Sequence, residues 1–216
     1  MKLGVLISGR GSNLRAILAA AAEPSFPVSV AQVIANNPAA PGLAHAADAG
    51  VPKTVVDHRD FPGRPAFEAA LTQKLADAGI EMICLAGFMR ILSGGFVDRW
   101  WNRIVNVHPS LLPAFPGADA VGDALAAGVK VTGTSVHMVR AAVDAGPILG
   151  QGAVPVLPDD DADSLGQRIR AVEHRLLPTC LAHLATGRMT AAGDTVISQV
   201  NADNGAYLAN PPLPPQ

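Results

Sequence analysis

Five short apolar runs in the first half of the chain alternate with segments of helical pattern. The runs are KLGVLIS (Lys2–Ser8), VSVAQVIAN (Val28–Asn36), PKTVVD (Pro52–Asp57), EMICLAGF (Glu81–Phe88) and RIVNV (Arg103–Val107). Strands that are apolar at consecutive positions are covered on both faces, as in a parallel sheet wrapped by helices. SNLRAILAAAA reads as a helix with Ser12 or Asn13 near its cap. GLAHAADAG is a short helix, PAFEAALTQKLADAG a helix from Pro65 to Gly79, and SGGFVDRWW a brief helical turn. After DALAAG the rhythm changes: KVTGTSVHMV and PILGQGAVPVL, joined by RAAVDAG, are close enough to pair antiparallel. A long helix follows with Leu165, Ile169, Val172 and Leu176 on one stripe. The expectation is an α/β fold: a single-domain, doubly wound, mostly parallel twisted sheet with helices on both faces and an antiparallel strand pair near the C-terminal end. Residues 1–190 form that domain, and residues 191–216 form a C-terminal extension with a proline-rich tail.

With 49% hydrophobic and 16% charged residues over 216 positions, the chain can bury a substantial core. A formal charge of −2 offers no electrostatic case for a nucleic-acid partner. Cys84 and Cys180 lie far apart, and Cys84 sits inside MICLAGF, so reduced thiols are expected rather than a disulfide framework. The N-terminal MKLGVLISGRGS is too soon broken by glycine for a signal peptide, and no apolar run approaches the ~20 residues of a membrane span. The expected location is cytoplasmic, away from the membrane.

RIVNVHPSLLPAFPG raises the chemical question. Asn106 and His108 stand two apart and so leave the same face of a strand, which Pro109 then terminates. An amide and an imidazole placed this way are either a polar fastening or a pair of donors aimed at a carbonyl. SGRGSN (Ser8–Asn13) joins the first strand to the first helix. Glycine-rich backbone at a helix N-terminus suits a monophosphate. Leu14 replaces the third glycine of a dinucleotide fingerprint, and Asn36-Asn37 stand where an acidic ribose partner is expected, which disfavours a nicotinamide-dependent oxidoreductase. Asp144, in VDAGP, can close the same strand-end crevice, where a carboxylate would favour a protonated His108. His45, His58 and His183 read as surface or packing residues, and His137 as a structural strand histidine. DDDAD (Asp159–Asp163) reads as acidic residues before a helix, and Trp100-Trp101 as packing or a subunit contact. No His/Cys cluster supports zinc, and no Gly-x-Ser-x-Gly elbow supports a serine hydrolase.

Together VLISGRGSNL, LAGFMRILS, NVHPSLLPAFPG, GTSVHMV, VDAGPIL and EHRLLP resemble, in order, the phosphoribosylglycinamide formyltransferases, which depend on 10-formyltetrahydrofolate. The resemblance runs from about residue 2 to 190. It implies formyl transfer to the amine of glycinamide ribonucleotide in purine biosynthesis, by direct amine attack through a tetrahedral intermediate. Asn106, His108 and Asp144 match the family's catalytic group. Gly11, Ser12 and Asn13 match the segment holding the substrate phosphate, and Arg170 to Glu173 the stretch meeting glycinamide ribonucleotide. Arg64, Met89, Arg90, Ile91 and Leu92 match folate positions, as do Asn106 and the loop Arg140, Ala141, Ala142, Val143 and Asp144. The implied partners are these two small molecules, with no metal, and the chain is expected as a monomer or homodimer. One segment departs: Asp119 stands where the family commonly has histidine, and Gly122 where a basic or polar residue is frequent. Rival readings are a formyltetrahydrofolate hydrolase, a methionyl-tRNA formyltransferase and a non-catalytic nucleotide- or folate-binding module. The tRNA enzyme should carry a further C-terminal RNA-binding domain and the hydrolase an N-terminal regulatory one, whereas this chain is expected to hold the transferase domain alone.

Overall fold

The computed structural model describes residues 1–200. The chain divides into two compact units, Met1–Asn106 with Met138–Ala141, and Val107–His137 with the chain from Ala142 onward. The first unit holds β1 (Lys2–Ile7), α1 (Ser12–Ala21), β2 (Ser29–Ala35), α2 (Gly42–Asp48), β3 (Lys53–Val55), α3 (Arg64–Asp77), β4 (Met82–Leu85) and α4 (Gly94–Arg99), and most of β5 (Ile104–His108). A 3-10 turn spans His58–Asp60. β1 pairs in parallel with β2 and β4, β2 with β3, and β4 with β5. The chain therefore winds outward from β1 in one direction, returns, and winds out in the other, so the loops after β1 and β4 part at a topological switch point.

β1 is the centre of this parallel sheet, which explains why Leu3, Val5, Leu6 and Ile7 are all fully buried. Its two faces carry different helices. On one face Gly4 lets α3 approach so closely that a Cβ there would stand 2.8 Å from Leu75. Phe67, Leu71 and Leu75, spaced one helical turn apart, join Leu6 and Ile83 in the core on that side. On the other face Ile7 meets Gly42 of α2. The cap of α1 differs from expectation. Neither Ser12 nor Asn13 caps it; the N-cap is Gly11 at φ 71, with no side-chain cap bond. Only glycine suits this left-handed turn, because a Cβ would also stand 2.8 Å from the Gly42 backbone.

The second unit holds α5 (Ala120–Ala126), β6 (Val131–Met138) but for its last residue, β7 (Ile148–Pro155), α6 (Ala162–Ala185), β8 (Met189–Ala192) and β9 (Thr195–Ser198). β6 and β7 form the expected antiparallel pair. α6 begins in a capping box between Asp161 and Ser164, while Asp160 pairs with Arg168 at 2.6 Å. Two carboxylates of the DDDAD run are thus committed to the helix start. Leu165 and Ile169 pack with Val154 as the core of this unit; Val172 and Leu176 are only half-buried, and the stripe continues through Leu177 and Leu181. β8 and β9 were not expected. They form a hairpin closed by Gly193-Asp194, with Gly193 at φ 60, on residues that read as the start of the extension. The proline-rich stretch from Asn201 lies outside the described residues. Both cysteines are buried and free, and burial pushes their thiols up to about 12. Among the described residues no helix is long and apolar enough to cross a membrane, and no group of three or more His, Cys, Asp or Glu side chains could hold a metal ion.

Candidate functional site

His108 ends β5 because Pro109 follows, and its side chain is buried. The ring is held at both nitrogens. Nε2 donates to the Phe115 carbonyl at 2.8 Å, and Nδ1 stands 3.4 Å from Asp144 Oδ2. A carbonyl and a carboxylate can only accept, so the arrangement suits an imidazole protonated at Nε2 and, when cationic, at both nitrogens. Asp144 adopts φ 52, a left-handed conformation that Asp tolerates better than most residues. Its Oδ2 also accepts from the Gly117 N–H at 2.9 Å, and its Oδ1 lies 3.7 Å from His137 Nε2. His137, expected to be a structural histidine, therefore touches the carboxylate that touches His108. The carboxylate is nearly buried between two imidazoles. Low dielectric strengthens such contacts.

The segment carrying this cluster is fastened by polar residues that the sequence reading missed. Thr134 Oγ1 donates to the His108 carbonyl at 3.0 Å, and Ser135 Oγ to the Ser110 carbonyl at 2.7 Å. Leu112 N–H donates to Ser135 Oγ, while Gln151 Nε2 reaches both that oxygen and the Leu112 carbonyl, each at 2.9 Å. Hydrogen-bond networks of this kind hold a loop in one arrangement. The available signal was the strand GTSVH, whose Thr134 and Ser135 are polar yet fully buried. Asn106, two residues before His108 on β5, is half-buried and leaves the same strand face.

In the first unit, the loops after β1 and β4 meet: Met89 N–H donates to Ser8 Oγ at 2.8 Å, and Ser8 Oγ donates to Asn36 at 2.6 Å. Gly11, Ser12 and Asn13 form the first turn of α1, whose N-terminus lacks a side-chain cap. Of the expected folate positions, Met89 and Ile91 are 80% and 62% exposed. Arg90 lies 6.0 Å from the Phe67 ring centre, and Arg64 is exposed at the start of α3. Leu92 differs, because its side chain is buried in the core and only its backbone is available. The segment is clamped beyond Leu92 by Glu68, which accepts from Ser93 N–H at 2.6 Å and also from Ser93 Oγ. Arg140 stacks 3.8 Å over Trp101 and donates to Asn102 at 2.8 Å, while Ala141, Ala142 and Val143 are exposed. Trp100 is core and Trp101 is the exposed member of the pair.

On α6, Arg170 is half-buried and Glu173 buried. His58, expected as a surface or packing residue, contacts the Asn36 carbonyl through Nδ1 at 3.2 Å and lines a cavity. Asp119 is the N-cap of α5 and accepts from Gly122 N–H at 3.2 Å. A Cβ at position 122 would collide with the Asp119 carboxylate. The two departures from the family pattern are thus one local device.

Residues 1–181 match the family model described as formyl transferase. The chain is 46% identical over 194 residues to phosphoribosylglycinamide formyltransferase of Mycobacterium tuberculosis, covering 90% of this chain and 89% of that one. It is 48% identical over 188 residues to the trifunctional purine biosynthetic protein adenosine-3 of Drosophila melanogaster, but spans only 14% of that protein's length. Among solved structures, glycinamide ribonucleotide transformylase 1 from Symbiobacterium toebii superposes with a TM-score of 0.88 at 47% identity, over 91% of this chain and 92% of that one.

Proposed function

Since the chain belongs to the formyl transferase family, and within it to the phosphoribosylglycinamide formyltransferases, we propose that it transfers the formyl group of 10-formyltetrahydrofolate to the amine of glycinamide ribonucleotide. Such a step belongs to purine biosynthesis and one-carbon metabolism. The observation that carries the reading is the buried His108–Asp144 pair at the end of β5. The amine nitrogen attacks the formyl carbon, and the carbonyl oxygen gathers negative charge. Asn106 donates an amide hydrogen bond to that oxygen. His108 donates a charge-assisted one, its Nε2–H exchanging the Phe115 carbonyl for the oxyanion. Asp144 orients the ring through Nδ1, and it or a held water takes the proton that the attacking amine sheds. Collapse of the tetrahedral intermediate breaks the bond to N10 of tetrahydrofolate, which leaves with a proton.

The phosphate of the ribonucleotide is assigned to Gly11, Ser12 and Asn13, where backbone N–H groups of α1 and its dipole favour an anion. Arg170 and Glu173 are assigned to the rest of that substrate. The folate is assigned to Arg64, Met89, Arg90, Ile91, the backbone of Leu92, Asn106, and Arg140 to Asp144. The deciding experiment is a formyl-transfer assay offering glycinamide ribonucleotide, water and formylatable tRNA as acceptors. Formyl should pass to the ribonucleotide, and preferential release to water or transfer to tRNA would replace the reading with a rival one.

A further inference from the structure

Of the pair Trp100-Trp101, the core takes the first, and packing leaves the second 44% exposed. What Trp101 carries is the Arg140 guanidinium, stacked 3.8 Å from its ring centre. The edges of that group are engaged too: Nη1 donates to the Val139 carbonyl at 3.1 Å, and Nη2 to Asn102 Oδ1 at 2.8 Å. A planar cation held by a face and by its donors is fixed in orientation, at a cost in rotamer freedom. Asn102 stands at φ 56, a left-handed turn that Asn enters more readily than most residues, so the residue making the turn also supplies the acceptor. The backbone here is tied as well. Val139 N–H donates to the Ile104 carbonyl at 2.8 Å, and a Cβ on Gly94 would lie 3.9 Å from Ala141. Residues 139–141 are thus fastened along α4, with Ala141 beside Gly94 at its start and Arg140 on Trp101-Asn102 just past its end. The start of α4 is itself gripped at Ser93 by the buried Glu68.

We propose that Trp101 and Asn102 are positioning residues for the folate, acting by anchoring Arg140 at the head of the loop Arg140–Asp144. The inference rests on the folate reading of that loop. Ala141, Ala142 and Val143 are exposed and carry no polar side chain, so what they offer a ligand is backbone N–H and C=O. Backbone groups bind well only where something else places them. A loop pinned at its head before the ligand arrives loses less binding free energy to ordering. Without the pin the competent arrangement is populated less, and apparent affinity falls by that fraction with no contact to the ligand removed.

Calorimetric titration of the full chain with tetrahydrofolate and, separately, with glycinamide ribonucleotide tests this without using turnover. Trp101→Ala should weaken tetrahydrofolate roughly two- to fivefold, the worth of one exposed cation–π contact, and leave ribonucleotide affinity unchanged. Trp101→Phe keeps a π face and should recover most of the loss. Trp101→Leu keeps apolar bulk alone and should recover none of it. Asn102→Gly suits the same left-handed turn, removes the acceptor, and should also weaken tetrahydrofolate selectively. In a cycle with Arg140→Met, removing Trp101 as well should lose no further affinity, because the two side chains act together. Unchanged tetrahydrofolate affinity in Trp101→Ala and Asn102→Gly, or equal weakening of both ligands, overturns the inference and leaves formyl transfer standing. So does recovery in Trp101→Leu as complete as in Trp101→Phe, or full additivity with Arg140→Met. Failure of the unaltered protein to bind tetrahydrofolate would remove the functional reading itself, a distinguishable result.

Discussion

His108 donates from Nε2 to the Phe115 carbonyl and faces the Asp144 carboxylate at Nδ1. His108→Ala is expected to lower kcat by about 10²–10³, the usual cost of losing one oxyanion donor. Asp144→Asn preserves size and the capacity to accept from Gly117 N–H but removes the charge from Nδ1. Its loss should also fall on kcat, with both KM values little changed, since the oxyanion exists only along the reaction path. The double variant Asp144→Asn/His108→Ala should be scarcely worse than His108→Ala alone, because residues acting as a unit are not additive. Independent multiplication of the two losses, measured in steady state, would give Asp144 a separate task such as accepting the amine proton. The pair Asn106 and His108 was legible in the sequence, from strand alternation ended by proline. Proximity of Asp144 was legible only as an expectation, since the approach of two loops separated by 36 residues (144 − 108) is a tertiary fact. The contact of His137 with the other Asp144 oxygen was not legible at all, because a buried strand histidine has the same local pattern whatever it faces.

Helix starts decide two further outcomes at the scale of elements. α5 depends on Asp119, so Asp119→Ala should cost about 1 kcal/mol in chemical denaturation, as for other caps. Gly122→Ala should disturb the same cap, and combining the two changes should cost less than their sum, because the second has nothing left to displace. Additive losses would mean that the two residues act separately. The exposed segment around Met89 and Ile91 is held at one end by Ser8 and at the other by Glu68 on α3. Glu68→Gln retains one acceptor but weakens the second grip on Ser93. The folate KM should rise several-fold while the ribonucleotide KM and kcat stay near their original values; equal shifts in both KM values would make Glu68 a general stability residue. The α1 cap shows why such detail escaped the sequence. Ser12 and Asn13 are good cap residues, yet the close approach of Gly42 selected the left-handed Gly11 instead. The β8–β9 hairpin was signalled by Gly193-Asp194 between short alternating runs, a cue overshadowed by the proline-rich residues that follow.

For the molecule as a whole, the start of α6 links stability to acid. Arg168 hydrogen-bonded to Asp160 holds its carboxyl well below the ordinary 3.8, aided by Leu157 N–H and Ser164 and opposed by burial. A carboxyl lowered in the folded state contributes stability that is complete above its unfolded value and is lost as pH falls through the folded one. Asp160→Asn should therefore unfold at lower denaturant concentration near pH 7, with the difference narrowing progressively below pH 3.8. A constant difference across that range would show that the pair contributes through packing rather than charge. The order of the first five strands and of the helices between them, the parallel character of those strands and the placement of Asn106 and His108 on the fifth followed from the sequence. Apolar periodicity, glycine and proline are local signals, and each acts within a few residues. The resemblance to formyltransferases likewise lay in short motifs read along the chain. Tertiary structure alone decided which partners those motifs meet: Asp144 between two histidines, Glu68 on Ser93, and His58 on Asn36 beside a cavity. Contacts between distant segments depend on how helices and loops pack on the sheet, and a linear pattern of hydrophobicity does not encode side-chain distances in space.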